Sequence, residues 1–129
     1  MAGRLLWSHH IELKAEASSA SGARSFVRRQ LRSHGLELMV DDVELVVSEL
    51  ATNALAHAGT PFRVSMSRVE RAVVVEVTDT SPTVPRRGRP GPLDTAGRGV
   101  FIVERLGRAW GVRSAPGVGK TVWVSFDAP

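Results

Sequence analysis

The sequence predicts an α+β fold, a two-layer α/β sandwich with a mixed, mostly antiparallel sheet and helices on one face. Three observations predict it. Short turns join segments of strand pattern, which favours antiparallel pairing. Two amphipathic helices come before most of these strands, and their apolar faces can pack on one face of the sheet that the strands form. The chain has 129 residues, of which 43% are hydrophobic, enough for a single domain with a core over residues 1–129.

In the first half of the chain, a strand comes before two helices. Residues 5–14 alternate roughly between apolar and polar, as an edge strand does. Serines offer N-caps for a helix over 20–33, which has an apolar stripe, a basic face and a glycine at its end. Over 41–57 apolar residues recur every three or four positions. This pattern predicts a helix buried on one face and capped by Asp41 or Asp42.

In the second half, strands dominate. Residues 62–68 alternate strictly, and 72–79 are so rich in valine that this strand should be central. A short helix over 100–106 follows, and a glycine-rich turn joins the last two strands, 109–114 and 121–126. The predicted order is therefore β-α-α-β-β-loop-α-β-β.

The loop in that order, residues 80–96, contains four prolines, two glycines and three arginines. A loop of this length inside a compact domain is usually functional, and often a lid. Too little chain follows to form another domain. We therefore expect a lid over residues 80–98 instead of a linker between domains.

Composition argues against several classes of protein. Without cysteine there is no disulfide, thiolate metal site or cysteine nucleophile, which fits a reducing cytoplasm. Since no apolar run approaches ~20 residues, we expect neither a membrane span nor a signal peptide. The net charge is +4, but the arginines are scattered and tyrosine is absent, which disfavours a basic nucleic-acid binder. A solvated surface, a phosphate-bearing ligand or an acidic protein partner would each explain the charge.

Two polar residues, Glu49 and Asn53, interrupt the apolar pattern of the helix over 41–57. They are four positions apart, so their side chains lie on one face. A buried carboxylate and a buried carboxamide are costly without partners. Either hydrogen bonds inside the protein satisfy them, or they face a ligand.

Two further signals lie at the ends of elements. Asp79 ends a strand, where it either caps the strand or meets a ligand. Gly97 and Gly99 flank Arg98 just before a helix. They form either a tight turn or a place where the backbone approaches an anion at the helix N-terminus.

Together these segments resemble the GHKL ATPase superfamily, and within it the small bacterial anti-sigma-factor serine/threonine kinases, over about residues 8–126. The resemblance implies the Bergerat fold of histidine kinase-like ATPase domains, with ATP and Mg²⁺ as cofactors. The matching segments are 47–54 (the N box), 77–84 (the G1 box), 97–103 (the G2 box) and 119–122 (the late Gly-x-Thr segment).

The resemblance also implies a role for each polar residue. Glu49 is the general base that accepts a proton from the attacking hydroxyl group. Asn53 is the Mg²⁺ ligand, through a hard carboxamide oxygen. Asp79 accepts a hydrogen bond from the adenine amino group, and Thr121 supports that contact.

By the same resemblance, the segment around the third helix binds phosphate. Gly97 and Gly99 are the phosphate-loop glycines. Arg98, with the arginines of the loop, neutralises the triphosphate. Val84 supplies an apolar contact, and Val100 joins the nucleotide-binding set at the start of the helix.

One departure from the family lies in the G1 box. Its usual glycines, two and four residues after the aspartate, are Ser81 and Thr83 here. The backbone at the strand end is therefore less free than in the family. This change bears on the tightness of ATP binding more than on the fold.

The resemblance implies a cytoplasmic regulator of transcription. It would transfer the γ-phosphate of ATP to a serine or threonine of an anti-anti-sigma (STAS-type) protein, release ADP, and sequester a sigma factor. A homodimer is compatible with this role, and neither nucleic acid nor a membrane is expected as a partner. The alternative is a nucleotide-gated protein-binding module without phosphotransfer. Glu49 favours the kinase, and the altered G1 box favours the module.

Overall fold

The computed structural model of the chain describes residues 3–57, 59–79, 98–115 and 119–129. The predicted α+β sandwich is confirmed, and the elements follow the predicted order. Among the helices in these ranges, none has the length and apolar character that a membrane span needs. The elements are β1 (Leu5–Leu13), α1 (Ser19–Ser33), a 3₁₀ helix (Glu37–Met39), α2 (Val40–His57), β2 (Phe62–Val69), β3 (Ala72–Asp79), α3 (Arg98–Leu106), β4 (Ala109–Ala115) and β5 (Gly119–Asp127).

The start of α2 differs from the prediction. The 3₁₀ helix leads directly into α2 at Val40, so Asp41 and Asp42 lie in its first turn and neither is the N-cap. Both carboxylates still lie near the positive end of the helix dipole. A single 3₁₀ turn is too short to have an apolar period of its own, so the sequence pattern did not reveal it.

The strands form one five-stranded sheet in the order β1-β2-β3-β5-β4. The four pairings of these described strands are all antiparallel, which agrees with the prediction of a mostly antiparallel sheet. β1 lies at an edge and the valine-rich β3 lies in the middle, as predicted. Because β3 is flanked by β2 and β5, its C-terminal end lies well inside the sheet and not at its margin.

The core lies between one face of the sheet and the helices. On β3, Val73, Val75 and Val77 are buried on this face together with Asp79, and the residues between them are only half-buried. This is the two-residue period of a strand that is packed on one face. The buried side chains of the helices that meet these strands include Phe26, Val27, Leu31, Val43, Val46, Val47 and Leu50.

Polar side chains join α1 to α2. Arg28 of α1 donates two hydrogen bonds to the Glu44 carboxylate of α2, at 2.7 and 3.0 Å. Arg24 donates from Nη1 to the hydroxyl oxygen of Ser48 at 3.1 Å. The predicted basic face of α1 is therefore partly an interhelix contact, and it helps to fix how α2 lies over the sheet.

The Arg28–Glu44 contact predicts a specific pH dependence of stability. The hydrogen bond from Arg28 holds the pKa of the Glu44 carboxyl below its ordinary value. Its stabilisation is therefore complete above the ordinary pKa and is lost as pH falls through the lowered one. We expect Glu44→Gln to reduce the free energy of unfolding at neutral pH, by an amount that disappears in acid, as measured by urea titrations across pH.

The matched control is Glu37→Gln, which breaks the more exposed pair between Arg32 and Glu37. Solvent screens that pair, so its loss should change stability less. A deficit of the Glu44→Gln protein that stayed constant with pH would contradict the assignment of the effect to this ion pair.

Candidate functional site

A polar pocket lies where the C-terminal half of α2 crosses the end of β3. Asn53 of α2 and Asp79 of β3 are both buried there, 4% and 3% exposed. Among the described residues the only other buried polar side chain is Ser19, which is bound to a backbone carbonyl elsewhere. The residues that line the pocket are Leu50, Asn53, Ala54, Val77, Asp79, Lys120 and Val122. The structure thus brings two of the predicted site residues together in an apolar setting.

The apolar period of α2 explains why Asn53 is inside. Leu50 and Ala54 are buried on the face that covers the sheet, and Asn53 lies on the same face between them. Glu49 lies one turn earlier and is half-buried, beside the pocket and not among its lining residues. The helix therefore presents a buried carboxamide, with a more accessible carboxylate next to it along one face.

Strand alternation explains why Asp79 is inside. It follows Val73, Val75 and Val77 at intervals of two, so its side chain points to the helices. Its partner is Lys120 of β5, which lies directly opposite in the strand register. The ammonium nitrogen Nζ of Lys120 is 2.8 Å from Oδ2 of Asp79, and the two side chains are 18% and 4% exposed. A carboxylate this deeply buried requires such a partner.

Thr121, which is predicted to support the contact of Asp79, lies one residue further along β5 than the partner of Asp79. It pairs with Thr78 in the register, and the two hydroxyl oxygens are 2.8 Å apart. Because successive side chains alternate between faces, this hydroxyl pair lies on the face of the sheet opposite to Asp79. In this structure the Thr121 hydroxyl is bound to Thr78, and its predicted support for the contact of Asp79 with adenine stays a prediction.

The residue beside Asp79 is Lys120, which the sequence analysis did not identify. A signal for it was present. Val122 and Val124 have the spacing of buried strand residues, and Lys120 continues that series by one step of two. Strand parity therefore assigns the lysine to the buried face and the threonine to the other.

The remaining predicted residues surround the third helix. Arg98, Gly99 and Val100 form the first turn of α3, which begins two residues before the predicted start and packs against α2. The predicted lid covers residues 80–98. Its residues 80–97, which include Val84 and Gly97, lie outside the described residues. The sites proposed for phosphate at these positions remain predictions.

The donor set of the pocket suits Mg²⁺ that arrives with phosphate. The carboxamide oxygen of Asn53 is a hard ligand, of the kind that Mg²⁺ prefers. Within the described ranges no three histidine, aspartate or glutamate side chains come close enough to hold a metal ion by themselves. Mg²⁺ commonly takes one or two protein ligands and completes its shell with phosphate oxygens and water. Asn53 therefore fits the role of a single protein ligand.

The fold and the pocket define a class of protein. Antiparallel strands covered on one face by helices, with a buried asparagine and aspartate between α2 and the central strand, are the features of a GHKL-type ATP-binding domain. The family model of the histidine kinase-like ATPase domain matches residues 13–126. The chain belongs to that family.

A curated relative shows the same likeness over a shorter stretch. Over 52 residues, which are 40% of this chain, the sequence is 35% identical to the signal transduction histidine-protein kinase AfsQ2 of Streptomyces coelicolor. The stretch covers 10% of that kinase. The chain therefore resembles a short part of a kinase that is far longer than the match.

The position of Thr121 leads to a test by substitution. Thr121→Val keeps the shape of the side chain and removes its hydrogen bond to Thr78. We expect the free energy of unfolding to fall by about 0.5–1.5 kcal/mol. The affinity for Mg²⁺-ATP should stay within about threefold, since less than about 0.7 kcal/mol of binding is involved.

Chemical denaturation and calorimetric titration measure the two quantities separately. Thr78→Val breaks the same bond from the other side and serves as the control, with a similar loss of stability. A tenfold loss of ATP affinity in Thr121→Val alone would show that this hydroxyl does reach the nucleotide.

Proposed function

We propose that the chain is a Mg²⁺-ATP-dependent serine/threonine kinase that phosphorylates an anti-anti-sigma protein of the STAS type and also sequesters a sigma factor. The observation that carries the proposal is the meeting of Asn53 and Asp79 in one buried pocket of a histidine kinase-like ATPase domain. The choice of a serine or threonine acceptor, and of these partners, rests on the sequence resemblance.

Each residue has a chemical task in this proposal. Asp79 accepts a hydrogen bond from the base, at the apolar end of the pocket formed by Val77 and Val122. Asn53 would hold Mg²⁺ through its carboxamide oxygen, and the bound ion would supply positive charge beside the transferring phosphoryl group. Glu49 accepts the proton of the attacking hydroxyl group.

The position of Glu49 supports its role as a base. It is half-buried, which is compatible with a hydroxyl group that approaches from outside, while Asn53 one helical turn further on is buried. In the proposal, Glu49 on the outer side meets the hydroxyl group that attacks, and Asn53 further in meets the phosphate with its Mg²⁺. The proposed lid over 80–98, with Val84, Gly97, Arg98, Gly99 and Val100, would close on the phosphates.

A second candidate function is a nucleotide-gated binding module without phosphotransfer. The observation in its favour is the G1 box, where Ser81 and Thr83 replace the flexible glycines of the family. A stiffer segment after Asp79 would still allow ATP to bind but would limit rearrangement around the phosphates. The two functions differ in whether labelled phosphate leaves ATP.

The proposal predicts stabilisation of the fold by nucleotide. A ligand that binds only the folded state raises its stability, by about 2.7 kcal/mol at a hundredfold excess over the dissociation constant. Thermal melting with Mg²⁺ alone, and with Mg²⁺ and ATP or ADP, measures the effect, and Mg²⁺ alone should produce little change. An unchanged melting temperature at millimolar nucleotide, together with no heat in calorimetry, would remove the nucleotide from the proposal.

Substitutions on α2 separate binding from phosphotransfer. Asn53→Ala removes a metal ligand and should weaken Mg²⁺-ATP binding by tenfold or more, about 1.4 kcal/mol. Glu49→Gln should leave that affinity within about threefold and lower phosphate transfer by a hundredfold or more, the usual range for losing a general base. Calorimetry measures the first quantity, and labelled phosphate on a panel of STAS-type proteins measures the second.

Thr52→Ala, an exposed change between the two positions, is the control for both assays. If Glu49→Gln transferred phosphate at the wild-type rate, the kinase assignment of this carboxylate would be wrong. If no variant and no wild-type protein transferred phosphate while ATP still bound, the module would be the correct function.

A further inference from the structure

We infer that His9 and His34 form a binding site for a divalent transition-metal ion of the kind that accepts two adjacent imidazole ligands, such as Ni²⁺ or Cu²⁺. The bound ion fastens the edge strand β1 to the end of α1. The site shares no residue with the pocket of Asn53 and Asp79. The inference is therefore independent of the proposed function.

The first step is the position of the two imidazole rings. His9 is in β1, and His34 is the residue at which α1 ends. The chain has four histidines, and these two, 25 positions apart in the sequence, have their Nε2 atoms 3.0 Å apart. A neutral histidine ring nitrogen is the commonest protein ligand for metal ions. Two such nitrogens therefore face each other where a strand and a helix meet.

The second step is what holds the rings in place. Trp7 lies two residues before His9 and so on the same face of β1. Its ring stacks on that of His34, with the ring centroids 4.0 Å apart and the planes at 6°. The backbone N–H of His34 donates to the carbonyl oxygens of Gln30 and Leu31, and β1 is paired with β2. Because both ligands are positioned before an ion arrives, binding costs little further ordering.

The third step is the spacing of the nitrogens. Metal–imidazole bonds of about 2.0–2.1 Å separate two nitrogens by about 2.8–3.0 Å at a right angle and by about 3.3–3.4 Å in a tetrahedron. The separation of 3.0 Å between His9 and His34 fits the right angle, which is the angle in square-planar and tetragonal Cu(II) and Ni(II) sites. Within the described ranges no cluster of three histidine, aspartate or glutamate side chains could hold an ion, so water would complete the shell.

The fourth step is the fate of the proton between the rings. One Nε2 now donates to the other, and either ring can be the donor. The ion takes a lone pair from each Nε2, so the donor ring changes to the tautomer that carries its hydrogen atom on Nδ1. No proton is released, and neither ring changes its charge. Binding thus replaces one hydrogen bond between neutral groups with two coordinate bonds.

The test titrates Ni²⁺ into the nucleotide-free protein by calorimetry and measures hydrogen exchange of the β1 amides. The wild type should bind one ion, and these amides should exchange more slowly when it is bound. His9→Gln and His34→Gln should each lose tenfold or more in affinity, about 1.4 kcal/mol. The double variant should lose little more than either single variant, because each substitution alone already breaks the pair.

Two controls accompany these variants. His10→Gln changes an exposed histidine on the opposite face of β1 and should leave the affinity within about twofold. Asn53→Ala shows whether Ni²⁺ instead enters the site assigned to Mg²⁺, and it should also leave the affinity within about twofold.

Each other outcome overturns the inference. A wild type that binds no Ni²⁺ at millimolar concentration does so, as does an unchanged affinity in folded His9→Gln, with folding checked by circular dichroism. A tenfold loss in His10→Gln or in Asn53→Ala would place the ion elsewhere. If His34→Gln does not fold, His9→Gln on the strand still decides the question. The melting experiment with Mg²⁺ and nucleotide tests the proposed function separately, so failure of one leaves the other in place.

Discussion

The register between β3 and β5 determines which chemical groups meet in this protein. Asp79 lies opposite Lys120, and side chains alternate along both strands, so both charges enter the apolar space beneath α2. A slip of β5 by one residue would bring the hydroxyl group of Thr121 into the pocket in place of Lys120 and turn the buried Val122 and Val124 outward. The burial of these valines therefore fixes the strand register, and with it the side chains that face the pocket.

The same geometry explains why α2 is the other half of the site. Its apolar stripe has to lie on the middle of the sheet, where β3 and β5 are paired, and this requirement brings Asn53 over the end of β3. The bonds from α1 to Glu44 and Ser48 restrict the position of α2 further. Elements far from the pocket thus set the separation of its polar groups.

The sequence was sufficient for the elements because hydrophobic periodicity is local, and α2 and β3 have strong periods. It also paired Asn53 with Asp79, through likeness to a family. The residue that lies opposite Asp79 was not among the predicted ones. Thr121 was chosen from the order of a motif. Side chains alternate along β5, so the buried Val122 places Lys120 on the pocket face and Thr121 on the opposite face. No motif encodes that register, since it arises from packing over the whole sheet.

Asp79 and Lys120 are better explained by function than by stability. A buried ion pair costs hydration on both sides, and apolar residues of similar volume often stabilise a fold as well or better. Leu50, Val77 and Val122 already surround the pair with apolar surface that would accept such residues. Apolar side chains at these positions would therefore suit the fold as well as the ion pair does. The same holds for the buried carboxamide of Asn53. Polar groups in a space that apolar side chains could fill favour a ligand that uses them. For this reason the proposed function rests on this pocket and not on the larger and more exposed grooves among the described residues.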